Sequence, residues 1–247
     1  MMRLDKFLCD NNIGTRNQVK DLIKKGLVSV NDTVIKQPEF KVDESADKVI
    51  CQGVAITYQE FYYYMLNKPA GYVTAHQDNL NPTVMSLLKD VAGKDLSPVG
   101  RLDKDTEGLL LITNDGELNH KLLAPKSHVP KTYYVELRDT FTEEQAFKLK
   151  SGVDIGEKHP CMPAEVIVVD FDKNSPDNHG GVGAILLTIH EGKFHQVKRM
   201  MQVVGNEVMY LKRVQFGSLK LDDELELGEY RTLTEQEIMM LREDVVK

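Results

Sequence analysis

The chain has 247 residues, 41% of them hydrophobic and 28% charged, with a net charge of −7 and only three cysteines. That composition excludes a disordered or collagen-like chain, and no apolar run approaches the roughly 18 residues of a membrane span. Cys9, Cys51 and Cys161 are far apart and odd in number, which argues against a disulfide framework or a cysteine zinc site and for reduced, structural thiols. His190 and His195 are not an i, i+4 helical pair, so no metal is expected. The start, MMRLDKFLCDNN, carries charges where a signal peptide has its apolar segment, so a cytoplasmic protein is expected.

The net charge is unevenly spread. Residues 1–41 hold eight Lys/Arg and five Asp/Glu, a net of +3, which leaves −10 for the remainder. A basic front end on an acidic body points to a polyanion partner for the front end, although a solvated charged face is the commoner meaning of a basic cluster.

Along the chain, Leu4, Phe7 and Leu8 mark a short amphipathic helix, broken at Gly14. Thr15 to Gln18 is a capping-box pattern. The helix it starts turns Val19, Leu22 and Ile23 inward and Arg16, Lys20, Lys24 and Lys25 outward, and Gly26 ends it. LVSVNDTVI alternates around Asn31-Asp32, a hairpin signal. Residues 43–60 are mixed and polar, with a boundary near 57–60, so a domain of 1–58 precedes one of 59–247. FYYYML (61–66) reads as a strand closed by NKPAG. A helix near 83–90, a strand at 109–113, a turn at Asn114-Asp115-Gly116 and a helix at 117–124 follow. KTYYVEL (131–137), EVIVV and AILLTIH read as strands. A helix capped by Thr142, one over about 195–204 ending at Gly205, and a last one opened by Thr234 to Glu237 complete the set. The order suggests an α+β fold with a mostly antiparallel, mixed sheet.

GRLDKDTEGLLLIT (100–113) poses the functional question. Asp103, Asp105 and Glu107 crowd before an apolar run that needs no carboxylate to fold. A lone Asp there most often caps a turn. Asp103-Lys104-Asp105-Thr106 fits the D-x-D-x-T signature of haloacid-dehalogenase-type phosphatases, but the apolar strand follows it instead of preceding it. Glycoside hydrolysis by paired carboxylates is also open, but the chain has no Trp and nothing else suggests a carbohydrate cleft.

VGRLDKDTEGLLLITNDGELNHKLLAPKSHVPKTYYVEL resembles the pseudouridine synthases, and in detail their RsuA branch. Its hallmark R-L-D, x-x-T-x-G-L and apolar strand stand as Arg101-Leu102-Asp103, Thr106, Gly108-Leu109 and LLIT. LNKPAGYV, KTYYV, EGKFHQVKRMMQVVGNEV and GEYRTLTEQEI resemble its other motifs, in the expected order. The first 50 residues resemble the RNA-binding module of the ribosomal protein S-four type. The resemblance implies an rRNA pseudouridine synthase needing no cofactor. It makes Asp103 the catalytic aspartate, with three roles open to it: attack on the anomeric carbon, abstraction of a ribose proton, or stabilisation of positive charge there. It makes Lys198 the cation beside Asp103, Tyr133 the tyrosine against the target base, and Arg101 the residue that helps displace the base pair or occupies the vacated place.

Lys198 and Arg199 fall in the first turn of a helix, where the dipole disfavours cations by roughly 0.3–1 kcal/mol. Arg199 is expected to face solvent or pair with Glu191. The front module would offer Arg3, Lys6, Arg16, Lys20, Lys24 and Lys25 to phosphates, with backbone amides at Thr15 and Arg16. The expected partner is ribosomal RNA or a pre-ribosomal particle, and the expected state a monomer off the membrane. Small-subunit rRNA is favoured as target. Large-subunit rRNA and a non-catalytic ribosome-assembly role are the alternatives, the latter opposed by the joint presence of Asp103, Tyr133 and Lys198.

Overall fold

The computed structural model describes residues 1–246 except 12, 90, 92 and 94. The chain forms two compact units, Met1–Tyr62 supplying most of the first, Tyr63–Lys89 and everything from Ser97 onward the second. Among the described residues no helix is long and apolar enough to cross a membrane, and the three cysteines are buried and form no disulfide.

In the first unit, strand β1 (Met2–Arg3) leads into α1 (Leu4–Asp10), and α2 (Arg16–Lys24) follows under a complete Thr15–Gln18 capping box. Strands β2 (Val28–Val30) and β3 (Thr33–Val34) form the expected hairpin, with Asn31 and Asp32 both left-handed, at φ 48° and 63°, as a two-residue primed turn requires. β4 (Lys41–Val42) pairs with β1. β5 (Val49–Cys51) and β6 (Val54–Ile56) extend the sheet in the order β3-β2-β5-β6. The polar stretch 43–60 thus contributes two strands that its mixed composition does not announce. At three residues each they are too short to show an alternation. Leu4, Phe7, Leu8, Val19, Ile23 and Val28 anchor the core.

The second unit is built on a large sheet of β11-β12-β10-β13-β9-β7-β15, with β8 (Ser97–Pro98) added to β9 and β14 (Leu219–Lys220) to β13. The strands are β7 (Tyr63–Lys68), β9 (Glu107–Thr113), β10 (Lys131–Leu137), β11 (Glu165–Val169), β12 (Gly183–Ile189), β13 (Val208–Phe216) and β15 (Tyr230–Thr232). The pairings are antiparallel, save one parallel contact of β13 with β9. β7 is buried along its whole length and β9 nearly so, which explains their near-continuous apolar character. β7 lies two residues beyond the predicted 61–66, because its ladder with β9 runs from Tyr63–Thr113 to Lys68–Gly108.

Helices α3 (Gly116–Leu123), α4 (Glu143–Ser151), α5 (Gln196–Val203) and α6 (Glu235–Glu243) fall where the periodicity put them. The helix predicted near 83–90 does not form. A single 3-10 turn, Val84–Leu87, stands there, and residue 90 lies outside the described residues. The backbone at 82–84 is engaged elsewhere: Val73 donates to the Pro82 carbonyl at 3.0 Å, and Val84 to the Val73 carbonyl at 3.0 Å.

One glycine fixes the geometry below the acidic loop. Gly108 has φ +96°, and a side chain there would run into the backbone carbonyl of Arg213 on the parallel neighbour. Gly108→Ala is expected to lower stability by about 2–4 kcal/mol, from overpacking and a left-handed backbone together. Thermal unfolding checks it. An unchanged midpoint means that the two strands can part at no cost.

Candidate active site

Asp103 lies in a loop, residues 101–106, that buried groups pin from below. Leu102 is buried, and the Thr74 hydroxyl donates to its carbonyl at 2.8 Å and accepts from its amide at 3.2 Å. The Thr106 amide donates to the Asp103 carbonyl at 3.1 Å, closing a turn, and the Gly71 amide donates to the Lys104 carbonyl at 2.7 Å. Lys68, fully buried at the end of β7, donates to the carbonyls of Thr106 (2.8 Å), Pro69 (3.0 Å) and Lys104 (3.3 Å). Burial pushes its ammonium down to about 8, against the opposing charges of Glu107, Asp105 and Asp103. The NKPAG segment is therefore a clamp for the acidic loop. The sequence hints at this only by placing a lysine at the end of an apolar strand.

The acids are held apart in role by exposure. The Asp103 side chain is 27% exposed and lines the cleft, whereas that of Asp105 is 72% exposed and faces outward. Lys198, in the first turn of α5, bridges them, 3.3 Å from Asp103 and 2.6 Å from Asp105. Burial alone would raise the Asp105 pKa, but the hydrogen bond and charge of Lys198 bring it below its ordinary value. Two carboxylates thus offset the unfavourable dipole at Lys198. His195, which lies within the EGKFHQVKRM stretch without a role assigned from sequence, caps α5 in the left-handed conformation at φ 47° and places Nε2 3.5 Å from Asp103. Its ring stacks on that of exposed Phe194, with centroids 3.8 Å apart. Arg199 departs from expectation: it pairs with Glu157 at 2.6 Å and with backbone carbonyls. Glu191 instead accepts from Gln196 at 2.9 Å and from the Met162 amide at 2.8 Å.

Tyr133 reaches the same cleft through an irregularity. The β10–β13 register jumps between Thr132–Gln215 and Tyr133–Arg213. Such a bulge re-aims side chains beside functional sites, and here it sets Arg213 opposite Tyr133. Tyr134 lies against Tyr210, ring edge to face. Lys131 also lines the cleft; its ammonium donates to the Val129 carbonyl at 2.7 Å. Burial, then the charge of Arg213, lower it to about 8.

The cleft has a volume of about 890 Å³, within the roughly 300–1,000 Å³ typical of ligand sites. Asp103, Tyr133 and exposed Arg101 line it together, and a recess of about 80 Å³ bounded by Asp103, Thr106, Tyr133 and Lys198 adjoins it. Arg101, Lys104, Lys131, Lys193 and, from beneath, buried Arg213 are among its lining residues. An acidic body therefore carries a basic cleft, which the average charge conceals.

In the first unit the predicted cations divide. Arg3 is held by Asp5 through two bonds of 2.9 and 2.8 Å, and Lys6 by Asp10 at 2.5 Å. Arg16, Lys24 and Lys25 are exposed and Lys20 half-buried. The Thr15 amide is already satisfied by the Gln18 side chain at 2.8 Å, which removes it as a phosphate donor.

Comparison with known proteins identifies the family of the chain. Residues 62–203 match the RNA pseudouridylate synthase family and residues 2–53 the S4 domain. The chain is 44% identical to an uncharacterized RNA pseudouridine synthase, YtzG, of Bacillus subtilis, covering 98% of this chain and 99% of that one. It is also 44% identical to ribosomal small subunit pseudouridine synthase A of Vibrio vulnificus, covering 96% and 98%. A crystal structure of a pseudouridylate synthase superposes with a TM-score of 0.66 at 37% identity, over 98% of this chain and all of that one. A match across more than half its length, together with full-length relatives above 40% identity, places this chain in the RNA pseudouridine synthase family, with an S4 domain at its front.

Proposed function

We propose that this enzyme isomerises a uridine of small-subunit ribosomal RNA to pseudouridine, with residues 59–247 as the catalytic domain and 1–58 as an RNA-binding domain. The observation that carries the reading is Asp103, half-buried at the cleft, with Lys198 at 3.3 Å and Tyr133 lining the same space. In the reaction the glycosidic bond breaks, the base turns, and carbon replaces nitrogen at the sugar. An ionised carboxylate at the sugar is what such a step needs, and a carboxylate entering a dry site tends to take up a proton unless a cation opposes it. Lys198 is that cation. Tyr133 packs the base, and exposed Arg101 enters the space the extruded nucleotide leaves. Arg16, Lys20, Lys24 and Lys25 hold phosphates. The relatives named small-subunit synthases support the choice of subunit. The enzyme works as a monomer in the cytoplasm, on ribosomal RNA or a pre-ribosomal particle.

Mapping pseudouridines in total rRNA from cells with and without the gene tests this. A site lost from small-subunit rRNA is expected; loss only from large-subunit rRNA overturns the choice of target. The ion pair is tested separately. Lys198→Arg is expected to retain a useful fraction of activity and Lys198→Met to lose at least about 10²-fold, chiefly in the chemical step. Near-wild-type single-turnover rates in both variants would reduce Lys198 to a surface residue.

A further inference from the structure

Arg213 stands where a cation is hard to keep. It is 2% exposed, and one of its terminal nitrogens, Nη2, has no hydrogen-bond partner. Its Nε donates to the Leu109 carbonyl at 2.8 Å, and the guanidinium carbon lies 5.1 Å from the centre of the Phe216 ring. Burial lowers its pKa, Tyr133 is the ionisable side chain that counters the shift, and no carboxylate takes part. Lys68, buried under the acidic loop, and half-buried Lys131 at the cleft both feel its charge as a further repulsion. An unpaired buried ion is strongly destabilising, and an apolar side chain of similar volume packs such a place better. The bulge in β13 also gives up a ladder position to bring Arg213 opposite Tyr133. Neither feature helps the fold.

Both make sense for an anion that exists only during turnover. When the C1′–N1 bond breaks, its electron pair leaves with the base. The detached uracil is then an anion, its charge shared over N1 and the two carbonyl oxygens. C5 of that anion next bonds to C1′, the C5 proton departs, and N1 takes up a proton. A cation fixed at the cleft before the reaction favours the charged base over the neutral nucleotide, which is the differential stabilisation that speeds a step.

We propose that Arg213 is a positioning residue for the detached base: opposite Tyr133 at the cleft, it supplies the positive field that stabilises and orients the uracil anion. The proposal rests on the reading of the Asp103 cleft as the site of uridine isomerisation.

The test uses the full-length protein in single-turnover reactions on small-subunit rRNA transcripts made with uridine or with 5-fluorouridine. Fluorine makes the departing base a weaker base, so it needs less help. Scission and rejoining are followed as the C-glycoside formed. Arg213→Gln is expected to slow the uridine reaction roughly 10²-fold, the effect of losing one preorganised electrostatic group, with RNA affinity little changed. The deficit on 5-fluorouridine RNA is expected to be about tenfold smaller, and Arg213→Lys to recover part of the uridine rate. Equal deficits on the two RNAs, or a deficit in affinity alone, overturn the proposal. If Arg213→Gln does not fold, the same two-substrate comparison on Arg213→Lys decides. A wild-type protein that forms no pseudouridine refutes the function of the cleft itself, a result distinct from any behaviour of the Arg213 variants.

Discussion

Asp103→Asn is expected to abolish pseudouridine formation, by at least roughly 10⁴-fold, the upper end for one acid–base group and a lower bound for a nucleophile. The substitution keeps the shape of the side chain and removes its charge. The loop should stay in place, because its anchors are backbone carbonyls held by Lys68 and the Thr74–Leu102 pair, not the Asp103 carboxylate. RNA affinity should persist, since phosphate contacts lie elsewhere. Asp105→Asn is the matched control. Asp105 is the closer partner of Lys198, at 2.6 Å, yet its side chain is 72% exposed, and an exposed ion pair is worth about 0–1 kcal/mol. Its loss turns Lys198 wholly toward Asp103 and should change the single-turnover rate by less than about fivefold. Substantial product from Asp103→Asn, or a dead Asp105→Asn beside an active Asp103→Asn, would show that the working acid is the other one.

What can be read from the sequence is local. The boxes at Thr15, Thr142 and Thr234 are complete within four residues, and each starts its helix as written. The Asn31-Asp32 turn is equally self-contained. The Asp103 loop is legible because its residue types serve no folding purpose, and it does meet Lys198 and Tyr133. What escapes is non-local. Lys68 looks like a strand-end lysine, but its partners, the Lys104 and Thr106 carbonyls, lie 36 and 38 positions away. Arg213 sits in an ordinary strand and bonds a carbonyl 104 positions away. The bulge that pairs it with Tyr133 has no glycine to announce it. His195 adopts a left-handed backbone, uncommon for a non-glycine residue, and no residue near it signals that. In each case the decisive neighbour belongs to another segment, and side-chain periodicity carries no information about it.

Neutralising the exposed cations of the first unit, with Arg16→Gln, Lys20→Gln, Lys24→Gln and Lys25→Gln together, should weaken RNA binding and leave the chemical step intact. Gln has nearly the helix propensity of Lys and Arg, and the capping box that starts α2 involves only Thr15 and Gln18, so the fold should survive. Each phosphate neutralised contributes roughly 0.7 to the slope of log affinity against log salt for single-stranded RNA. Removing four such cations should flatten that slope by about 3 and lower affinity roughly 10²–10³-fold near 0.1 M salt. Arg3 and Lys6 provide the internal comparison, because Asp5 and Asp10 already hold them. Arg3→Gln with Lys6→Gln should therefore flatten the slope much less than any two of the α2 cations. At saturating protein, the quadruple variant should convert bound rRNA at the wild-type single-turnover rate, since Asp103, Lys198 and Tyr133 belong to the second unit. A salt slope that does not move would show that the basic face of α2 meets only water and counterions. RNA affinity would then have to come from the cations around the Asp103 cleft, Arg101, Lys104, Lys131 and Lys193 foremost.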